Sequence, residues 1–461
     1  MTEGEPMVRR DTAGSLYRTV WRWHFYAGLF VLPFILILSV TGSIYLFKPQ
    51  IDRWEERTYR GLSLDGAVTP DQQLGAVLTT YPTGRFNSYR VPEAPGDAAM
   101  IELIFFDGAK LDIFVSPQGK LLGGRDPASK LTETIANIHG SLLLGKWGDW
   151  LVELAASWTI VLILTGLYLW WPRPLRAAGT LYPRLNLRGR PLLRDIHRVT
   201  GFWIAGLVLV MLASGLPWAG AWGSGFRWVR SELGLVNGPQ SWKVGADGKQ
   251  APPAVEAVHD HSAMDTATPS SMAGSALPAG LPLAAFVAKA REQEMPPPVV
   301  VVPPHAIQRF GPPTGKDWTV KSETQNRWLA RQVTFDAETG AETARRGFAD
   351  QHVVDRIVNT GVAWHEGQLF GLANQIIGVI TALGLIAVSI LGAVMWFKRR
   401  PAGAFGAPPT GRAPGLGMMT LILVLGLLLP LFGVSLLALL FLDRAGAYLR
   451  HRFRQLGDSL A

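Results

Sequence analysis

Four of the nine histidines recur at matched positions, and imidazole is the side chain best suited here to ligate a metal or relay a proton. His24 is followed by Gly28 at +4 and by Thr41-Gly42 at +17 and +18, and His197 by Gly201 at +4 and Ser214-Gly215 at +17 and +18. His139 is followed by Gly145 at +6, Thr165-Gly166 at +26 and +27 and Trp170 at +31; His365 is followed by Gly371, Leu391-Gly392 and Trp396 at the same offsets. Single coincidences of this kind are cheap in apolar sequence, but a whole set at fixed spacing marks an internal duplication. His305, His352 and His451 have no counterpart and read as surface residues, with His352, thirteen residues before His365, the substitute ligand should that pairing fail.

The elements that must position these rings are membrane spans. Of 461 residues, 48% are hydrophobic and 17% charged, below the roughly 25% charged usual in soluble domains. Five apolar stretches, near 24–47, 149–171, 198–220, 369–397 and 415–442, reach the ~20 residues needed to cross a bilayer. The first is too long for a cleavable signal and lacks a small-residue cleavage site. The absence of cysteine excludes disulfides, thiolate-ligated clusters and covalent haem attachment. A net charge of +9 could suit nucleic acid, but the arginines flank the apolar runs instead, so the expected partner is the lipid membrane and no nucleic acid.

Those arginines set the orientation. Arg9, Arg10, Arg18 and Arg22 precede the first span; Arg173, Arg176, Arg184, Arg188, Arg190 and Arg194 fill the loop between spans two and three; Lys398, Arg399, Arg400 and Arg412 follow the fourth. The positive-inside rule makes these segments cytoplasmic. The expected layout is then 1–23 cytoplasmic, 24–47 span one, 48–148 outer domain one, 149–171 span two and 172–197 cytoplasmic. It continues with 198–220 span three, 221–368 outer domain two, 369–397 span four, 398–414 cytoplasmic, 415–442 span five and 443–461 the tail. One conflict remains: an odd fifth span puts Arg444, Arg450, Arg452 and Arg454 outside. Pro430 could break that span, but each half of 415–442 is then too short to cross.

The outer segments repeat as well. Residues 70–81 and 281–294 read as short amphipathic helices, followed by strand-like runs such as 99–106 and 328–335. Each segment ends in a hairpin, with Phe114 five residues before Gly119 and Phe335 five before Gly340. Corresponding spans cross in the same direction, so the halves are expected to be related by a pseudo-twofold axis along the membrane normal. Residues 245–280 are rich in Pro, Ala, Ser and Gly and read as a disordered insertion. His259, His261 and Met264 within it are either soft metal ligands or part of a solvated linker.

The twofold places His24 and His197 at equivalent positions near the cytoplasmic edge, and His139 and His365 near the outer edge. From His139 to Thr165 a straight helix would rise ~39 Å, longer than the apolar core, so a break is expected near Gly145–Gly148. Polar rings at membrane depth need partners. A flat cofactor on the axis, held by one imidazole from each half, satisfies all four, and haem with bis-histidine ligation fits. A proton relay would use such rings too, but the spans lack chains of intramembrane Asp or Glu apart from Glu153. Zinc suits less, since each pair offers two ligands where a closed site wants four. Arg18, Arg22, Arg194 and Arg198 near the inner pair are either propionate partners or topology signals, Gly28 and Gly201 either clear a macrocycle edge or pack helices, and Glu366 is a candidate partner for the His365 ring.

The His-x3-Gly…(Thr/Ser)-Gly spans at 24–42 and 197–215, Ile-His-Gly at 138–140, Thr-Gly-Leu-Tyr-Leu-Trp-Trp-Pro-Arg at 165–173 and Trp-His-x-Gly at 364–367 resemble the PepSY-associated transmembrane family. The likeness extends over residues 16–442, with Phe-Val-Ser-Pro-Gln-Gly at 114–119 similar to the PepSY hairpin. It implies an α-helical transmembrane bundle with two α+β PepSY-like extracytoplasmic domains, in a bacterial inner membrane. It also implies a ferric-siderophore reductase carrying two b-type haems, with His24 and His197 the axial ligands of one and His139 and His365 those of the other. Electrons would pass from the cytoplasm to a periplasmic ferric siderophore or other ferric chelate. No Gly-rich phosphate loop appears, so the donor is expected to be a separate cytoplasmic reductant or a quinol. The rival readings are a redox-silent PepSY sensor anchored in the membrane, and a copper-handling reductase that uses the His/Met insertion.

Overall fold

Long apolar runs free of charge have one stable form in lipid, the α-helix, because every backbone polar group must be satisfied within the segment. The computed structural model describes residues 7–171, 177–235, 280–308, 313–401, 403–409, 411 and 413–460. In chain order, α1 (Met7–Tyr45) is the first span, followed by α2 (Lys48–Glu55) and α3 (Pro70–Thr80). Strands β1 (Arg85–Arg90), β2 (Ala99–Ile104), β3 (Lys110–Val115) and β4 (Leu121–Arg125) lead to α4 (Leu131–Ser141) and the second span, α5 (Gly145–Trp170). The second half repeats the order: α6 (Arg190–Gly215) is the third span, then α7 (Gly220–Glu232), α8 (Leu283–Glu292), β5 (Val299–Val302), β6 (Trp318–Ser322), β7 (Arg331–Phe335) and β8 (Glu342–Gly347). After α9 (Val353–His365) and the fourth span, α10 (Leu372–Arg399), come α11 (Leu416–Leu428) and α12 (Pro430–Leu460).

Among the described residues, five helices are long and apolar enough to cross a membrane, and the chain is a multi-pass membrane protein. Helices α1, α5, α6 and α10 form a four-helix bundle in which α1 and α6 each pack on both α5 and α10. That is the arrangement a twofold requires, with α1 equivalent to α6 and α5 to α10. Leu46, at the end of α1, sits in a glycine notch: a Cβ on Gly367 or Gly378 would come within 2.7 or 2.6 Å of its side chain.

The two strand-bearing segments are not separate sheets. All eight strands form one antiparallel sheet in the order β4-β3-β2-β1-β5-β6-β7-β8. The halves meet where β1 pairs with β5, Tyr89 opposite Val301 and Arg90 opposite Val300. One face of this sheet is apolar: Tyr89, Ile101, Leu103, Ile113, Val301, Trp318, Val320 and Val333 pack under α3 and α8 through Leu74, Val77, Phe286 and Val287. Asp71, in the first turn of α3, accepts from the backbone N–H groups of Leu283 and Ala284 at 2.8 and 2.9 Å and so caps α8 of the other half. The opposite face, which carries Ser88, Arg90, Glu102, Asp112 and Lys321, looks onto the bundle.

Several boundaries differ from the sequence reading. Residues 327–329 form a turn and the strand starts at Arg331; the Asn326 side chain accepts from the Trp328 N–H. The break before α5 runs from Leu142 to Gly145, with left-handed φ angles of 52°, 59° and 55° at Leu142, Leu143 and Gly145, and so begins just ahead of the expected Gly145–Gly148 and meets it at Gly145. The expected fifth span, 415–442, is two helices. Leu429 leaves the helical region at φ −123° and ψ 82°, and α12 starts on Pro430, which tolerates a first-turn position. The two helices fold back on each other so closely that a Cβ on Gly433 would lie 2.5 Å from the Gly426 carbonyl oxygen.

This hairpin removes the topological conflict. Trp222, on the sheet side, donates to the Leu428 carbonyl at 3.0 Å, and Trp158, deeper in α5, donates to Ser435 Oγ at 3.0 Å. From its elbow α12 therefore runs in the same direction as α5, away from the sheet, and carries Arg444 and the tail back to the arginine-rich side. With α12 running past residue 442, its apolar portion, Pro430–Leu449, is long enough to reach that surface.

Candidate functional site

The bundle brings the two rings of each matched histidine pair together. The rings of His24, on α1, and His197, on α6, have centroids 6.4 Å apart and planes at 88°. Those of His139, at the end of α4, and His365, at the end of α9, have centroids 6.2 Å apart and planes at 71°. Two imidazoles on opposite sides of one metal, with metal–nitrogen bonds of ~2.0 Å and ring nitrogens ~1.1 Å from their centroids, would stand ~6.2 Å apart. Both pairs have that separation. They lie on two levels: Thr41, which touches His139, follows His24 on the same helix by 17 residues, ~26 Å of rise.

Each ring is clamped from behind through Nδ1. His24 Nδ1 meets the Leu162 carbonyl at 3.1 Å and Thr165 Oγ1 at 3.0 Å, both on α5. His197 Nδ1 meets the Val388 carbonyl on α10 at 2.9 Å. His139 Nδ1 meets Thr41 Oγ1 on α1 at 3.1 Å, and His365 Nδ1 meets the Met211 carbonyl at 3.0 Å and Ser214 Oγ at 3.1 Å on α6. A carbonyl partner fixes the tautomer with hydrogen on Nδ1 and leaves Nε2 as the nitrogen for a metal. The glycine after each receiving residue lets the ring approach the helix. A Cβ on Gly42, Gly166, Gly215 or Gly392 would come within 3.0, 3.1, 3.1 or 3.6 Å of Cε1 of His139, His24, His365 or His197 respectively. The Thr-Gly and Ser-Gly pairs in the sequence are thus the sockets of these rings. Offsets from His24 or His197 alone could not reveal this, because each socket serves a histidine on another helix.

The outer pair opens into a cavity of about 1800 Å³ between the bundle and the polar face of the sheet, lined near the rings by Leu38, Ala155, Met211, Trp218 and Leu385. Two loops hold the sheet over it. Glu56, buried after α2, receives Arg90 at 2.7 and 3.2 Å and Arg125 at 2.7 Å, and Asn326 donates to the Leu369 carbonyl before α10. Three buried donors along the cavity, Trp218 Nε1, Gln325 Nε2 and Arg327 Nε, have no hydrogen-bond partner among the described residues, and the Trp218 ring lies 6.0 Å from that of His365. Near the inner pair, Arg198 donates to the Trp170 carbonyl while its Nε is likewise buried without a partner among the described residues. Unsatisfied buried donors of this kind suit the carboxylates of a bound group. Ring separation, tautomer and orphaned donors together fit a bis-histidine haem at each level. Among the described residues no group of three or more His, Asp or Glu side chains converges as a metal site.

Other residues singled out in the sequence have different places. Glu366 lies 3.8 Å from Arg327, while the His365 ring is held by α6. Glu153, buried within α5, accepts from the Ala221 and Trp222 N–H groups at 2.8 and 3.1 Å and caps α7. His352 Nδ1 accepts from the Val354 N–H as the cap of α9, and His305 is exposed in a loop. Gly28 packs on Leu162, whereas Gly201 has open space beside it. Arg22 donates to the Pro408 carbonyl; Arg18 and Arg194 are exposed. His259, His261 and Met264 lie outside the described residues.

The fold and the paired histidines define a helical membrane protein made of two like halves that share one extramembrane sheet. The PepSY-associated TM region family model matches residues 21–399, and the chain belongs to that family. No curated protein matches it.

Proposed function

We propose that this chain is a di-haem b oxidoreductase of a bacterial inner membrane, carrying electrons from the cytoplasmic, arginine-rich face to the periplasmic sheet face to reduce a ferric siderophore. The observation that carries this reading is the presence of two histidine couples, on two levels, each at the spacing that one shared metal requires. His24 with His197, and His139 with His365, would hold the haems, which supply reversible one-electron chemistry when bound. The chain's own residues do the rest. The Nδ1 contacts fix each imidazole in the ligating tautomer, the socket glycines set its depth, and the orphaned Arg198, Arg327 and Trp218 donors receive carboxylates. The cavity over the outer pair is large enough to bring a chelate to the edge of that centre. Adding an electron to ferric iron softens it, and hard oxygen donors then hold it less well. The electrons come from a separate cytoplasmic donor or a quinol.

Proteoliposomes with a reductant on the arginine-rich face and a ferric hydroxamate with a ferrous trap on the other test the reaction. Ferrous product is expected only with intact chain and is lost in His139→Ala. Equal rates in empty liposomes reject the reductase reading. A folded but colourless protein favours the redox-silent sensor instead.

A further inference from the structure

Leu391 interrupts a pattern that the other three histidine sockets keep. In each of those three, a helix offers one ring nitrogen a hydroxyl at position i, with glycine at i+1, and in two of them the carbonyl at i−3 as well. The sets are Thr41 and Gly42 for His139; Leu162, Thr165 and Gly166 for His24; and Met211, Ser214 and Gly215 for His365. The fourth socket keeps the carbonyl of Val388 and the glycine, Gly392, but position i is Leu391.

The hydroxyls act as acceptors. Thr165 Oγ1 gives its hydrogen to the Val161 or Leu162 carbonyl at 2.8 or 2.9 Å, Thr41 Oγ1 to Ile37 at 2.8 Å and Ser214 Oγ to Met211 at 2.9 Å. A hydroxyl has one hydrogen, so toward Nδ1–H each can only accept. Three imidazoles thus give Nδ1–H to a hydroxyl, His24 and His365 sharing it with a carbonyl as well, and His197 gives it to a carbonyl alone. A second acceptor draws the proton from the ring, makes Nε2 a stronger donor and favours the oxidised metal.

Resting on the haem reading above, we infer that Leu391 sets the potential of the inner centre. By withholding the second acceptor from His197 it keeps that centre easier to reduce than the uniform socket would. The consequence is a bias that helps the inner centre capture an electron from its donor. Leu391 is a positioning residue, acting only through His197.

The test is potentiometric titration of the purified full-length chain in detergent, followed by haem absorbance, with the inner centre identified as the one lost in His197→Ala. Leu391→Thr is expected to lower the inner midpoint at unchanged haem content. One net hydrogen bond of ~1 kcal/mol corresponds to about a fivefold shift in the oxidised-to-reduced ratio, about 40 mV at ~59 mV per tenfold. Thr165→Val is expected to raise the same midpoint, and Leu391→Val, which adds no hydroxyl, to leave it in place. Equal shifts in Leu391→Thr and Leu391→Val overturn the assignment. Should Leu391→Thr not fold, an unmoved inner midpoint in Thr165→Val overturns it as well. A wild-type protein without haem absorption instead rejects the haem reading, and this assignment falls with it.

Discussion

Arg230 on α7 and Asp355 on α9 form a two-point ion pair with both bonds at 2.9 Å, and the arginine is 2% exposed. The pair ties the helix after the third span to the helix that presents His365, so the outer centre depends on it. Removing one partner strands the other charge in a dry site, which typically costs 3–5 kcal/mol. Asp355→Ala is therefore expected to lower the melting temperature in detergent and to deplete the outer haem before the inner. Wild-type melting and full haem content in that variant would show the pair to be dispensable.

The socket glycines give a graded expectation. A methyl on Gly42 or Gly215 would stand 3.0 or 3.1 Å from the ring it receives, whereas one on Gly201 meets nothing within 4 Å. Gly42→Ala and Gly215→Ala should push the outer imidazoles off their shared axis and reduce bound haem toward one per chain. Gly201→Ala should retain two. The ratio of haem to protein absorbance reads the difference.

Asp71 joins the halves away from the membrane by capping α8. A lost cap costs about 1 kcal/mol, so Asp71→Ala should destabilise the sheet domain modestly while leaving haem content unchanged. Proteolytic susceptibility of the sheet domain measures the first effect and the absorption spectrum the second.

The α11–α12 hairpin makes a topological prediction. Reporters fused to the two termini should report the same side of the membrane, because α12 leaves its elbow parallel to α5. Opposite sides would mean that the fifth apolar stretch crosses as a single span.

Much of this was legible in the sequence, for identifiable reasons. A duplication preserves spacing, so matched offsets exposed all four histidines and their pairing. The apolar runs showed the spans because lipid permits little else. What stayed hidden depends on contacts between distant segments. Thr165 and His24 are 141 residues apart, and no local period links a socket to its ring. The fusion of the two sheets rests on β1, RFNSYR, whose polar sequence covers its pairing with β5. Pro430 was visible as a breaker, but the outcome turned on α12 continuing well past residue 442, where the sequence becomes basic and amphipathic rather than apolar. Glu153 stood out in the sequence only as an acidic residue at membrane depth, and the position of α7 shows it to be a cap.

Reduced-minus-oxidised spectra with pyridine haemochrome quantitation, run on wild type and His24→Ala, probe the paired-imidazole arrangement most directly. Two b haems per wild-type chain and one in the variant are expected. A wild-type chain that holds none, or a variant that keeps both, would contradict it.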